Sequence, residues 1–282
     1  MELNILITFI LLSFIFSQNE QTPWRDYPAC KLGRLQSPID IREYESIYTN
    51  DFSFVYQNYK NVKDCFINKI DNSNYTLKTR DLINGEGGYI NFERKGVIKQ
   101  YEFIRAELYQ GLHPIDGILS EYELHLVHKK NLDFKTNKNQ YRSIQDPNMF
   151  LRVVLRYNNT SNCKAGSSDN GLLEDLINSS FGGLGKYPVF QDKKAYFYEG
   201  SSIIIPCDEN VNYYVVNDLF CANISTNDDQ FSISNVTLSN KFGRPLYKNF
   251  MNYREVMNSK YIFVKMIYPL FCFFYIFNLK QN

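Results

Sequence analysis

Residues 122–128 read Tyr-Glu-Leu-His-Leu-Val-His, and the fold assignment turns on this run. It has the length and composition of a β-strand. It also holds two of only three histidines in the chain, His113 being the third. Successive strand side chains point to opposite faces, so His125 and His128, separated by an odd number of residues, diverge. A catalytic zinc site takes three protein ligands and leaves one position for water, and this geometry does not deliver two of these histidines to one ion. Read from the residues alone, the run supplies one inward polar histidine and one satisfied core histidine.

Outward from it, similar apolar-aromatic runs recur between turn signals at 51–56, 89–92, 100–108, 150–157, 195–198 and 211–216. One helix is predicted over 170–177, with Leu172, Leu173, Leu176 and Ile177 on one side and Gly182-Gly183 beyond it. No repeat or low-complexity tract interrupts the middle of the chain, so 18–258 reads as one mainly β domain with minor helices. Composition agrees: 22 Tyr and 22 Phe among 282 residues favour strands. With 31 basic against 30 acidic side chains and 44% apolar residues, the chain is neither a disordered regulator nor a nucleic-acid binder. That near balance also offers nothing to a polyanion such as heparin.

Both ends of the chain are apolar. Residues 1–17 suit a secretory signal peptide, with an uncleaved anchor as the alternative. Within the tail at 259–282, the run that starts at Tyr261 is apolar and aromatic save for Lys265 and its last residues, and the tail reads as a membrane span if Lys265 snorkels. Alternatives are a lipid-anchor signal with Asn258 and Ser259 as the attachment site, or a buried core helix. Glycosylation sequons at Asn74, Asn158, Asn159, Asn178, Asn223 and Asn235 fit the secretory route, on surface loops or exposed strand faces. Cys30, Cys65, Cys163, Cys207 and Cys221 lie between the apolar ends and Cys272 lies inside the second, so an oxidising compartment allows two bridges with one thiol left over.

Four ordered motifs carry a family resemblance. They are Leu35-Gln-Ser-Pro-Ile-Asp-Ile41 after Trp24 and Cys30; His113-Pro-Ile-Asp-Gly117 followed by Glu123-Leu-His-Leu-Val-His128; Tyr196-Phe-Tyr-Glu-Gly-Ser-Ser-Ile-Ile-Ile-Pro-Cys207; and Asn252-Tyr-Arg254 after Arg244-Pro245. Together they resemble the α-class carbonic anhydrases over about 230 residues. The resemblance implies a twisted, largely antiparallel ten-stranded sheet with short peripheral helices and a conical cavity with zinc at its floor. It also implies a Cys30–Cys207 disulfide, and leaves open which of Cys65, Cys163 and Cys221 pair.

The resemblance implies an incomplete site. His125 matches the third zinc ligand, Glu123 the carboxylate that buttresses a ligand, and His113 and His128 structural histidines. The first two ligand positions fall on Glu107 and Tyr109, or in other registers on Ile104 and Ala106, and no register supplies a histidine. A phenol with an ordinary pKa near 10 is a reluctant ligand at neutral pH. The threonine–glutamate pair that orients the zinc-bound hydroxide is matched by Ile203 and Leu112, with Ile204 at the neighbouring threonine position, and Val127 adds to an apolar floor. Tyr75 falls near the proton-shuttle position. No cofactor is expected. On this reading histidine at 107 and 109 alone restores zinc binding, whereas hydration also needs the relay pair.

The resemblance thus implies a member that keeps the fold without hydrating carbon dioxide and binds a protein or glycan, and the apolar ends and sequons put it on the secretory route, tethered to a membrane through its tail, at the cell surface or in the endomembranes. The alternative is an active zinc enzyme with an atypical ligand set such as His125, Glu107 and a further group.

Overall fold

The seven apolar-aromatic runs fall on strands, with only Asp51 outside one, because strand-length stretches of aromatic and apolar residues pack on a pleated surface. The computed structural model describes residues 33–62, 67–68, 77–134, 149–160, 171–178, 181–187, 193–203, 207–223 and 244–251. The signal-peptide and tail segments, Trp24, Cys30, Cys65, Cys163, Cys272, Asn74, Tyr75, Asn235, Ile204 and the Asn252–Arg254 motif lie outside these residues. The strands are β1 (Ile47–Tyr48), β2 (Phe52–Tyr59), β3 (Ile67–Asn68), β4 (Leu77–Thr79), β5 (Gly88–Arg94), β6 (Val97–Gln110), β7 (Tyr122–Lys130), β8 (Phe150–Asn159), β9 (Ala195–Gly200), β10 (Val211–Ala222) and β11 (Tyr247–Lys248). The helix α1 spans Leu172–Ile177, and two 3-10 turns cover Glu43–Glu45 and Leu184–Lys186.

All eleven strands join one sheet in the order β1-β11-β9-β10-β8-β7-β6-β4-β3, with β2 attached through β5 to β6. The resemblance implied ten strands; three of the eleven, β1, β3 and β11, are only two residues long. Pairing is antiparallel except for β1–β11 and β8–β10. The 14-residue β6 is the hub: it pairs β5 along its first half, β4 near its end and β7 along most of its length. Phe54 of β2 and Tyr214 of β10, remote in strand order, bring their ring centroids to 4.5 Å, and Phe92 of β5 stacks on Phe197 of β9 at 5.6 Å. Such contacts require the sheet to curl over the aromatic core.

The central strands bury both faces, which is why their sequences do not alternate cleanly. On one face Ala106 and Leu108 of β6, Leu124 and Leu126 of β7, and Leu151, Val153 and Leu155 of β8 join the main core with Leu172, Leu173 and Leu176 of α1. The opposite face carries Arg105, Glu107 and Tyr109, then Glu123, His125 and Val127, then Arg152, Val154 and Arg156, as the cross-strand register dictates. A register shift between Phe103 and Arg105 turns the start of β6 over, so that Tyr101 and Phe103 rejoin the core.

The β6–β7 connection is held tight by Gly111, where a Cβ would lie 1.9 Å from the Ser120 carbonyl oxygen. Only glycine permits that approach.

Candidate functional site

The polar face of β6–β8 is a grid of charged and ring-bearing side chains that strand pleating alone puts together. Glu107 pairs directly with His125, which pairs with Val154; Arg152 sits beside Val127 and, across the parallel β8–β10 pair, beside Tyr213. Glu107, Tyr109, Glu123 and His125 are fully buried and Arg152 is nearly so.

At its centre Arg152 Nη1 donates to Glu107 Oε2 at 2.6 Å, and lies 3.4 Å from His125 Nδ1 and 3.5 Å from the Tyr109 hydroxyl. Tyr109 donates its own proton to Glu107 Oε2 at 2.7 Å, and Arg105 Nε donates to Glu107 Oε1 at 2.5 Å. Burial by itself pushes the Glu107 carboxyl up, but the Arg152 and Arg105 charges outweigh it and bring its pKa down to about 2. Burial likewise opposes the Arg152 charge, and Glu107 reverses this and holds the guanidinium well above its ordinary value. The pair is therefore ionised throughout the physiological range.

Glu123 organises the other half. Its Oε1 accepts the backbone N–H groups of Leu112 at 3.0 Å and His113 at 2.6 Å. Its Oε2 takes His113 Nδ1 at 2.8 Å and His125 Nε2 at 3.1 Å. Burial raises the Glu123 pKa, but these donors and the His113 ring prevail and hold it far below the usual carboxylate range. Because the Glu123 carboxylate can only accept, His125 Nε2–H donates to it and the Nδ1 lone pair turns to Arg152. Burial lowers the His125 pKa to about 4 despite Glu123, and the neighbouring Arg152 charge pushes the same way, so the ring is neutral. His113 Nε2 contacts the Tyr198 hydroxyl at 2.7 Å, and Tyr198 stacks on Tyr213 at 4.8 Å.

His128 faces the other way, with Nε2 2.8 Å from the Tyr59 hydroxyl and Nδ1 2.9 Å from the Leu126 carbonyl oxygen. Burial lowers its pKa to about 4. It belongs to the core side and takes no part in the polar grid.

Among the alternative registers, the structure puts Glu107 and Tyr109 beside His125, while Ala106 points into the core and pairs with Leu126. Leu112 and Ile203 pack with Tyr109 as a small buried apolar cluster of their own. Cys207 and Cys221 are each disulfide-bonded. Cys207 lies four residues before the 12-residue β10 and Cys221 next to its last residue, and a strand rising about 3.3 Å per residue separates them too far for a mutual bridge, so both partners lie outside the described residues. Of the sequon residues, Asn178 and Asn223 are exposed, whereas Asn158 and Asn159 are half-buried at the end of β8, with Asn158 Oδ1 accepting the Glu121 N–H at 3.0 Å.

Arg152 is the residue that sequence reasoning missed. The available signal was a cation two positions into the otherwise apolar start of Phe-Leu-Arg-Val-Val-Leu at 150–155. Nothing in that run says which face it takes, because β8 is buried on both sides.

A tetrahedral zinc ion does not fit these residues. One ligand atom each from His113, Glu123 and His125 fall within 4.8 Å of one another, but they are turned onto each other in hydrogen bonds rather than toward a common point. Of the two imidazole nitrogens left over, His113 Nε2 contacts the Tyr198 hydroxyl at 2.7 Å and His125 Nδ1 faces a guanidinium nitrogen 3.4 Å away. Zinc binds imidazole nitrogen at about 2.0–2.1 Å, a point that guanidinium already covers with atoms and positive charge.

Comparison with known proteins finds similar sequences and folds. A sequence profile for the eukaryotic-type carbonic anhydrases matches residues 19–263. Alpha carbonic anhydrase 8 of Arabidopsis thaliana is 25% identical over 205 residues, which are 69% of this chain and 46% of the relative, so the chain spans less than half of that relative's length. Among solved structures, dioscorin complexed with ascorbate superposes with a TM-score of 0.58 at 17% identity, covering 83% of this chain and 92% of dioscorin. An α-carbonic anhydrase from Thermovibrio ammonificans with the inhibitor sulfanilamide gives a TM-score of 0.49 at 17% identity, covering 80% and 91% of the two chains.

Proposed function

The chain belongs to the eukaryotic-type carbonic anhydrase family, and from that membership we propose that this member uses the fold as a binding domain and does not hydrate carbon dioxide. One observation carries the reading: Arg152 Nη1 stands 3.4 Å from His125 Nδ1, on the lone pair a metal would need. Two further features support it independently. Glu107 and Tyr109 spend their oxygens on Arg152, Arg105 and each other. Leu112 and Ile203 are hydrocarbon where an oriented hydroxide would require a carboxylate and a hydroxyl. The competing reading, zinc held by His125, Glu107 and a further group, requires the Arg152 guanidinium to be displaced from both residues at once.

The proposed setting is the secretory route, with attachment to a membrane through the apolar tail and a protein or glycan as partner. Support comes from the two apolar ends, the six sequons and the disulfide-bonded state of Cys207 and Cys221, which suits an oxidising compartment. Metal analysis and a carbon dioxide hydration assay on the purified protein test the chemical half. Substoichiometric zinc and no hydration above background are expected; one tightly bound zinc per chain with turnover rejects it. Surface biotinylation and glycosidase digestion on intact cells test the setting, and an unglycosylated protein reached only after lysis overturns it.

A further inference from the structure

The three central strands already pair through their backbones at the floor of the site, and what their side chains do there is inferred on the reading that no metal is held. Three oxygen and nitrogen atoms surround Arg152 Nη1: Glu107 Oε2 at 2.6 Å, His125 Nδ1 at 3.4 Å and the Tyr109 oxygen at 3.5 Å. They arrive from β6 and β7, while the guanidinium arrives from β8.

None of the three depends on Arg152 for its orientation. The Glu107 carboxylate is also held through Oε1 by Arg105 Nε and through Oε2 by the Tyr109 hydroxyl. The His125 ring is fixed by Glu123 through its other nitrogen. The result is an ionised carboxylate, a neutral imidazole with its lone pair inward, and a phenol oxygen with its proton directed elsewhere. A planar cation with N–H donors and no acceptor matches this set, because every atom it meets can accept.

We infer that Glu107, His125 and Tyr109 form a preformed guanidinium-binding site, filled in the native protein from within by Arg152, a built-in cation that ties β6, β7 and β8 together. Removing the side chain leaves a buried site of fixed acceptors, and a small alkylguanidinium from solution fits it. All three acceptors gather on one nitrogen, so the ligand needs N–H donors at that point, which a cation without them cannot supply.

The experiment uses the full chain carrying Arg152→Gly. Its thermal midpoint is followed against added methylguanidinium, with tetramethylammonium chloride, a cation without N–H donors, as the control for charge and ionic strength. A fall in midpoint relative to wild type is expected, then a saturable recovery at millimolar methylguanidinium that tetramethylammonium does not reproduce and the wild type does not show. A folded Arg152→Gly protein without that selective, saturable recovery overturns the inference. Should the glycine variant fail to fold, Arg152→Met is compared with Arg152→Met combined with Glu107→Gln. The double variant is expected to resist denaturant better than the single one, because it no longer leaves a buried carboxylate with only Arg105 to offset the charge that Arg152 had balanced; equal resistance overturns the inference. The two proposals fail separately. Stoichiometric zinc in the wild type defeats the functional reading, whereas a metal-free wild type whose variant is not rescued defeats only the guanidinium site.

Discussion

Arg152 and Glu107 belong to strands that do not adjoin, β8 and β6, and their side chains meet at 2.6 Å across the intervening β7, directly beside His125. An ion pair that spans a strand in this way ties three strands at one point. Both partners are almost entirely buried, so the pair is poorly screened by salt.

Breaking this pair from one side should be costly. Glu107→Ala leaves a buried guanidinium without its carboxylate and is expected to destabilise the fold by about 3–5 kcal/mol. Glu199→Ala, which breaks the half-exposed Arg94–Glu199 pair, should cost under about 1 kcal/mol. Urea denaturation of both variants gives the comparison, and a similar cost for the two would refute the ranking.

Stability should fall with acid in two overlapping windows. His125 and His128 are lowered from 6.5 to about 4 in the folded protein, so the unfolded chain binds more protons between those values. Their contribution is complete above the unfolded value and is lost as pH falls from there toward about 4. Glu107, lowered from 4.5 to about 2, contributes with the same sign between those limits. Urea midpoints measured from pH 8 to pH 3 should decline throughout the lower range, and His128→Asn should flatten the upper window. A midpoint independent of pH below 6.5 would contradict both assignments.

Rebuilding a metal site needs one step more than the sequence motifs imply. Glu107→His with Tyr109→His still leaves the guanidinium on His125, so zinc uptake is expected only when Arg152→Val is added. Hydration should then still await Leu112→Glu and Ile203→Thr, since losing a preorganised polar group commonly costs a factor of about 10² or more. Metal content by mass spectrometry decides the first point: tight zinc binding by the two-histidine variant would show that Arg152 yields.

Gly111 can be tested on its own. A methyl group there meets the Ser120 carbonyl oxygen at 1.9 Å, and the chain must shift where Leu112 and His113 donate to Glu123. Gly111→Ala is expected to cost about 1–3 kcal/mol, as overpacking does. An unchanged denaturation midpoint would show that the turn relaxes freely.

Much of the architecture could be read from residues 122–128 and the runs like them. Tyr, Phe, Val and Leu in strand-length stretches bury well on a pleated surface, and all seven stretches fall on strands, with only Asp51 lying outside. Leu172, Leu173 and Leu176 of α1 turn to the core as their helical spacing predicts. The ordered motifs led to the same family as the sequence profile over residues 19–263. The opposite directions of His125 and His128 followed from alternation alone. The shift near Ile104 was not legible, and with it the choice of Glu107 over Ala106 as the neighbour of His125.

The order of motifs along the chain determined the family and the strands, because hydrophobic period and local spacing are properties of one segment at a time. It also determined what His125 lacks, since a missing histidine needs no coordinates to be seen. What stands at His125 instead was decided only in three dimensions. Arg152 lies 27 positions away in sequence on a strand buried on both sides, and the pairing of β7 with β8 alone aims its guanidinium at that ring.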